Sequence, residues 1–466
     1  MAFTPQRLRE ALASSLGAAG VVPAGYCIAL SGGLDSTVLL AALASAPALA
    51  PLRAIHVDHG LHPDAAHWSE HGGMLAARVG IRCEVVRVDA RAGAGESPEA
   101  AARVARYAAL AARLLPGEVL LTAHHADDQL ETVMLQWLRG GGLRALAGMA
   151  PVAVFAGGWH ARPLLGFTRA ELRQWAESQR LDWLEDPSNV DVRFDRNYLR
   201  LEVLPSLRRR WPAASRTVGR VASQAAEALA LDDVAAGADL AAVAEGRTVS
   251  LARLAMLDRA RQRRVLRAWL RALGLPMPAA ATLEALRRDM CEAADDRVPE
   301  TRWPGGVVRR YRSRLYADAL PDPAPPLGVS AGAHWRSGES FDLGALGTLA
   351  LRPAEGGGLS RACLVEPLLV ATRPAGAVFR PAGSPHRRPL RKWLQERGVL
   401  PWRRASVPLV FAAGEIVAVG DFAYGGRLAA AAGEDAWVIA WHGRPVLTEG
   451  EAIAGRLPVA GEGPFR

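Results

Sequence analysis

Three short clusters hold most of the residues whose types and spacing could do chemistry. The first runs Ser31, Gly32, Gly33, Leu34, Asp35, Ser36, Thr37, after one apolar stretch and at the head of another. Two glycines let the backbone turn N–H groups toward an anion without Cβ clashes. The hydroxyls add donors, and a helix N-terminus adds about half a positive charge. Such a turn is a cradle for phosphate. It is not a Walker A loop, because it has no lysine, and it is not G-x-G-x-x-G. The second cluster is His56, Val57, Asp58, His59, Gly60, Leu61; the third is His124, His125, Ala126, Asp127, Asp128, Gln129, Leu130, Glu131, Thr132. Dense His and Asp groups at strand ends suit a two-metal hydrolase. Alternatively, Asp127 and Asp128 open a helix and hold Mg2+ on the phosphates of ATP. The hydrolase has no use for the first cluster, whereas ATP chemistry engages all three, so the second reading is preferred.

These clusters need a frame that brings them together. Apolar runs at 26–30, 52–58, 82–89 and 119–124 predict strands, with a short fifth at 162–165 and helical stretches between them. Ser97 and Pro98 open one helix as N-cap and first-turn proline. Thr168 and Glu171 form a capping box before another. Strand and helix in alternation predict a parallel sheet with helices on both faces, and in such sheets ligands sit at the carboxyl ends of the strands. All three clusters fall there. From 211 to 316 the pattern is helical and rich in Ala, Leu and Arg; 318–328 is proline-rich and reads as a linker. Beyond it come strand-like runs at 414–419 and 437–441 and a basic helix at 389–397. The expected fold is therefore α/β: a parallel-sheet nucleotide-binding domain at 1–210, a helical middle domain at 211–317 and a small α+β domain at 329–466.

Bulk properties agree with this frame. A chain of 466 residues is too long for one core. The formal charge of +9 suits a polyanionic partner. Lys392 is the only lysine, so no active-site lysine lies in the first half, and cations are arginine forks, which suit phosphate. The four cysteines, Cys27, Cys83, Cys291 and Cys363, form no C-x-x-C pair, which argues against structural zinc, an iron–sulfur cluster and a disulfide framework. The uncharged stretch at 36–52 is broken by Pro47 and Pro51 and is too short to cross a bilayer. With no signal-like start, the expectation is a cytoplasmic protein without membrane contact.

Ser-Gly-Gly-x-Asp-Ser after a first strand resembles the signature of the N-type ATP pyrophosphatases. The wider wording resembles the tRNA(Ile)-lysidine synthase family in particular. The residues that carry this are His56 to Leu61, Ala102-Arg103-x-x-Arg106-Tyr107, His124 to Thr132, Arg139 to Leu143, and Arg162 to Leu165. The longest stretch runs from Glu185-Asp186-Pro187-Ser188-Asn189 through Asp191, Phe194, Arg196 and Asn197 to Arg200. Together they cover most of 26–205, and 389–419 resembles the family's last domain. His62 stands where the family commonly has arginine, and Ala145 where glycine is usual.

The resemblance implies the chemistry. ATP would be cleaved between its α- and β-phosphates, with pyrophosphate on Ser31, Gly32, Gly33, Leu34, Asp35 and Ser36 and the nucleotide also contacted by His56 and Asp58. Catalytic roles would fall to Asp35, Asp127, Asp128 and Arg196, with Mg2+ on Asp35 and Asp128 and either Asp127 or Asp128 as the base. Arg103, Arg106, Tyr107, Glu131, Asp186, Asn189, Asn197 and Arg200 would contact the tRNA or substrate. The partners would be an isoleucine tRNA with a CAU anticodon and free L-lysine, and the family relationship admits a homodimer. Against a related tRNA thiolation enzyme stands the missing cysteine pair. A metal-dependent phosphoesterase, or an RNA-binding protein without catalysis, would leave the first cluster unused.

Overall fold

The computed structural model describes residues 2–45, 50–60, 65–91, 98–185, 191–293, 298–321, 332–372, 376–426, 428–431 and 433–457. Leu61, His62, Ser97, Asp186, Pro187, Ser188 and Asn189 lie outside the described residues, as does most of the expected linker. The chain divides into two compact units, with the boundary between Asp233 and Val234.

The first unit runs α1 (Pro5–Ala18), β1 (Gly25–Ala29), α2 (Leu34–Ala44), β2 (Leu52–Asp58), α3 (Ala65–Arg78), β3 (Cys83–Arg87), α4 (Pro98–Ala111), β4 (Glu118–Leu121) and α5 (Ala126–Leu138). There follow α6 (Leu143–Leu146), β5 (Val152–Phe155), β6 (Gly158–Ala161), α7 (Arg169–Ser178), α8 (Asp195–Tyr198), a wide π-type turn at Leu199–Val203, α9 (Leu204–Arg210) and α10 (Ala214–Val243), which runs across the boundary. The strand order is β3-β2-β1-β4-β6-β5. All neighbours are parallel except the β5–β6 hairpin.

Successive side chains of a strand face opposite ways, and this sheet buries both. Tyr26, Ile28, Ala54, Val119 and Leu121 pack with α1, α2 and α7 through Leu8, Leu12, Val38, Leu39 and Leu172. The residues between them, Cys27, Ile55 and Leu120, pack with Leu110 of α4. That two-sided burial is why the strands read as continuous apolar runs. Four of the five expected strands stand where the sequence places them. The fifth does not: residues 162–165 form the turn after β6, and the hairpin β5–β6 supplies the missing edge. Chain order reverses between β1 and β4, so the crevice at their carboxyl ends is the switch point of the sheet.

In the second unit β7 (Ala244–Glu245), β8 (Thr248–Ser250), α11 (Leu251–Ala255), α12 (Arg259–Ala272), α13 (Ala280–Glu292), β9 (Glu300–Trp303), β10 (Gly306–Tyr311) and β11 (Arg314–Ala319) share a core around Val265, Leu266, Trp269, Leu283, Leu286, Val308 and Leu315. The expected helices are present, and with them an antiparallel sheet, β7-β8-β11-β10-β9, that the sequence did not predict. The C-terminal part holds a five-stranded and a four-stranded antiparallel sheet, with Trp335, Leu349, Val410 and Trp441 in one core. The basic helix there, Leu390–Glu396, buries Leu390, Trp393 and Leu394. Among the described residues no helix is long and apolar enough to cross a membrane.

Candidate active site

The switch-point crevice is walled by the turn after β1 and the segment after β4. The first turn is ordered by its own hydroxyls. Ser36 Oγ accepts from the Ser31 N–H (3.2 Å), lies 3.0 Å from Ser31 Oγ and donates to the Gly33 carbonyl (3.1 Å). Gly32 sits at φ +81°, where a Cβ is strained, and its carbonyl accepts from the Leu184 N–H at 2.9 Å. Gly33 then caps α2 with no side chain accepting from the first helical turn. A helix start left without a side-chain cap leaves its first N–H groups available to an anion.

The segment after β4 begins α5 with an unusual cap. His125 Nδ1 accepts from the Asp128 N–H at 3.3 Å, and Asp128 Oδ2 accepts from the His125 N–H at 3.0 Å. With Nδ1 accepting, the imidazole proton sits on Nε2, which lies 3.5 Å from Asp35 Oδ2 and 3.4 Å from Asp128 Oδ2. A single buried ring thus ties the phosphate turn to the head of α5.

Asp127 and Asp128, adjacent in sequence, face different partners. Asp127 accepts from Ser215 Oγ (2.5 Å), the Arg169 N–H (2.7 Å) and Arg208 Nη2 (2.7 Å). Burial raises its pKa, but these donors outweigh it and hold the carboxyl below its ordinary range. Asp128 Oδ1 accepts from Arg196 (2.9 Å) and Arg200 (3.3 Å). Both arginines also grip Glu131, 1% exposed, through Arg196 Nε and Arg200 Nε, each at 2.8 Å. Burial pushes the Asp128 carboxyl up as well; His125 and Arg196 reverse this and keep it depressed. Arg196 and Arg200 come from α8 and the π-type turn, where a widened helix aims both guanidinium groups inward. They are the guanidinium wall of the crevice. Arg193 at the same spacing instead closes on Asp191.

The other residues singled out from sequence are placed as follows. His56 donates from Nδ1 to the Leu30 carbonyl at 2.9 Å, beneath the first turn, and burial lowers its pKa. Asp58 Oδ1 accepts from the Gly60 N–H at 2.8 Å and closes the turn after β2. Tyr107 of α4 packs edge-on to Phe155 (5.7 Å), with Arg103 and Arg106 over its ring at 5.0 and 5.5 Å. Asn197 donates to the Asp191 carbonyl. Gln129 exchanges two hydrogen bonds with Met149 and pins the bend between α6 and β5. Ala145 places its methyl 2.2 Å from where a Cβ on Gly141 would stand, so a glycine is required at 141. Arg169, Arg208, Ser215, Thr122 and His160 were not foreseen, and His125, though part of the third cluster, had been given no role of its own. Nothing in local spacing links Ser215 to Asp127, 88 residues earlier.

The fit of a magnesium ion rests on Asp35. Its Oδ1 is buried and has no hydrogen-bond partner among the described residues. Those residues hold no preformed group of three His, Cys, Asp or Glu for a metal. Magnesium prefers one or two carboxylates, waters and substrate phosphates to an all-protein cage, so Asp35 fits such an ion. Both oxygens of Asp128, by contrast, already accept hydrogen bonds.

Fold and site together define a nucleotide-binding protein of the PP-loop class, and the profile of the PP-loop domain matches residues 6–207. The TilS substrate binding domain matches 250–316 and the TilS substrate C-terminal domain 368–441. A tRNA(Ile)-lysidine synthase of Alkalilimnicola ehrlichii is 45% identical over 93% of this chain and 97% of its own. Those of Methylococcus capsulatus (40%, over 86% and 92%) and Coxiella burnetii (37%, over 90% and 92%) are also similar. The chain belongs to the tRNA(Ile)-lysidine synthase family.

Proposed function

We infer that the enzyme is a carbon–nitrogen ligase that joins free L-lysine to C2 of the wobble cytidine in an isoleucine tRNA with a CAU anticodon, at the expense of ATP. The observation that carries this reading is the uncapped start of α2 beside the orphaned Asp35 oxygen, within a chain of this family. The C2 oxygen of cytosine is a poor leaving group. Its attack on the α-phosphorus of ATP forms a C2–O–AMP ester and breaks the bond to pyrophosphate, which the 31–36 turn would retain. The ε-amine of lysine then forms a bond to C2, and AMP departs with the electron pair of the C2–O bond. Charge on the phosphate oxygens makes positioning and electrostatics the main catalytic terms. Magnesium held by Asp35 and the phosphates would neutralise the charge on the leaving group.

The attacking amine has an ordinary pKa near 10.4 and must lose a proton. Asp128, on the crevice side with His125 and Asp35, suits the acceptor role better than Asp127, whose partners come from α7, α9 and α10. Domains at 211–317 and 329–466 would hold the tRNA. The exposed Arg259, Arg261 and Arg267 of α12 support this, as arginine suits a phosphate backbone. A thiolation reaction finds no support: Cys27 is buried with its thiol pushed up to about 12, and every cysteine stands alone.

The test is incubation with isoleucine tRNA(CAU), ATP and labelled lysine. The expected result is label in the RNA with one AMP and one pyrophosphate per lysine. Label that stays out of the RNA, or RNA cleavage without ATP, overturns the reading.

A further inference from the structure

Behind the head of α5 lies a chain of hydrogen bonds whose direction is set by chemistry at one end. Arg162 Nη2 lies 3.1 Å from His160 Nδ1. His160 Nε2 lies 2.8 Å from Thr122 Oγ1, which lies 2.7 Å from His124 Nδ1. A guanidinium can only donate. His160 Nδ1 therefore accepts, its proton is on Nε2, and Nε2 donates to the Thr122 oxygen. The one hydroxyl hydrogen of Thr122 then goes to His124 Nδ1. His124 is left as the tautomer with its proton on Nε2.

The surroundings keep this order from reversing. Thr122 and His160 are 6% and 3% exposed, so water has little access to insert a competing donor. Arg162 is itself fixed by donating from Nη1 to the Ala150 carbonyl at 2.7 Å. Burial, with the charge of Arg162 acting in the same sense, holds His160 down to about 2, and burial holds His124 down to about 3. Both rings are neutral, as the sequence of donors and acceptors requires. Nε2 of His124 has no hydrogen-bond partner among the described residues, and the charges that act on the ring are Asp128, Arg162, Arg103 and Arg196. The ring is thus within electrostatic reach of Asp128 and Arg196, which line the crevice, and of Arg103 on α4.

We propose that Arg162, His160 and Thr122 are positioning residues that fix His124 as an Nε2–H donor for the acceptor edge of the target base. A pyrimidine such as cytosine offers adjacent carbonyl and ring-nitrogen acceptors there, whereas an imidazole with the opposite tautomer would present a lone pair to them. This rests on the reading that a cytosine base is the substrate; the tautomer itself does not.

The experiment is long-range 1H–15N correlation on the full chain with 15N-histidine, His124 being assigned by its disappearance in His124→Gln. The parent protein should show His124 protonated at Nε2. Protonation at Nδ1 in the parent overturns the proposal whatever the activity. Thr122→Val and Arg162→Met should shift the His124 tautomer and lower kcat on the order of tenfold or more, with KM for ATP unchanged, while Thr122→Ser restores both. Parent-like turnover in Thr122→Val with an altered tautomer would overturn the catalytic part. The spectrum needs no turnover, so failure of the proposed reaction and failure of the relay are read separately.

Discussion

Asp127 and Asp128 are spelled identically and sit side by side, yet the fold gives them different work. Consecutive residues on a helix point about 100° apart, so one carboxylate looks into the crevice and the other toward α7, α9 and α10. Sequence spacing marks both as chemical residues, but it does not separate them, because Arg208 and Ser215 reach Asp127 only through packing of α9 and α10 on α5. The phosphate turn is different: its bonds run between Ser31, Gly33 and Ser36, all within one local stretch, and so it was legible from residue types alone. The distinction is testable. Asp35→Asn removes the charge of a carboxylate whose buried Oδ1 has no hydrogen-bond partner among the described residues, and should lower AMP release about 100-fold or more with the unfolding midpoint unchanged. Asp127→Asn should do the reverse: stability falls by about 2 kcal/mol, the scale of a lost hydrogen bond to a charged group, and AMP release falls less. Denaturant titration and single-turnover AMP formation, run on both variants, check the contrast. Equal losses of activity with unaltered midpoints would remove the division of roles.

Elements were readable where their pattern was undiluted. The core strands are buried on both faces and read as apolar runs, and Thr168 and Glu171 spelled out the start of α7, where the capping box is present. The sheet of the second unit was hidden for a physical reason. β10 carries Arg309 and Arg310, each only 3% exposed, inside an otherwise apolar strand. Arg309 is met by Glu300 and Asp318, and Arg310 by the carbonyls of Met290 and Ala293. Buried arginines of this kind break the period on which a strand is recognised. The start of α7 also bears on the site, because the Arg169 N–H that follows the cap donates to Asp127. Thr168→Ala should therefore cost about 1 kcal/mol and lower turnover severalfold, while Thr168→Ser stays near the parent. Equilibrium urea unfolding measures the first effect and steady-state AMP formation the second. A stability loss with no change in turnover would show that the cap serves the helix alone.

For the molecule as a whole, the relay behind α5 has a consequence for stability that does not depend on catalysis. His160 is 3% exposed in the native state, and burial, aided by Arg162, holds it down to about 2 against an ordinary value of 6.5. Between those values the unfolded chain binds a proton at this ring and the native protein does not. Stability contributed by the neutral ring is thus complete above about pH 6.5 and declines as the pH falls, by at most about 1.4 kcal/mol per unit. From pH 7 to pH 5 the loss at this one site is on the order of 2 kcal/mol. Carboxylates and the remaining histidines also contribute to the acid limb, but a His160→Gln variant shares them with the parent and lacks only this proton. The variant should start less stable at pH 7, because a packed ring is lost, and then lose less on acidification, so that the two midpoints converge toward pH 5. Thermal midpoints of the transition that unfolds the first unit, taken at half-unit steps of pH, give the comparison directly. Parallel curves would mean that His160 binds its proton equally in both states, and the direction of the relay, which requires a neutral ring, would lose its support.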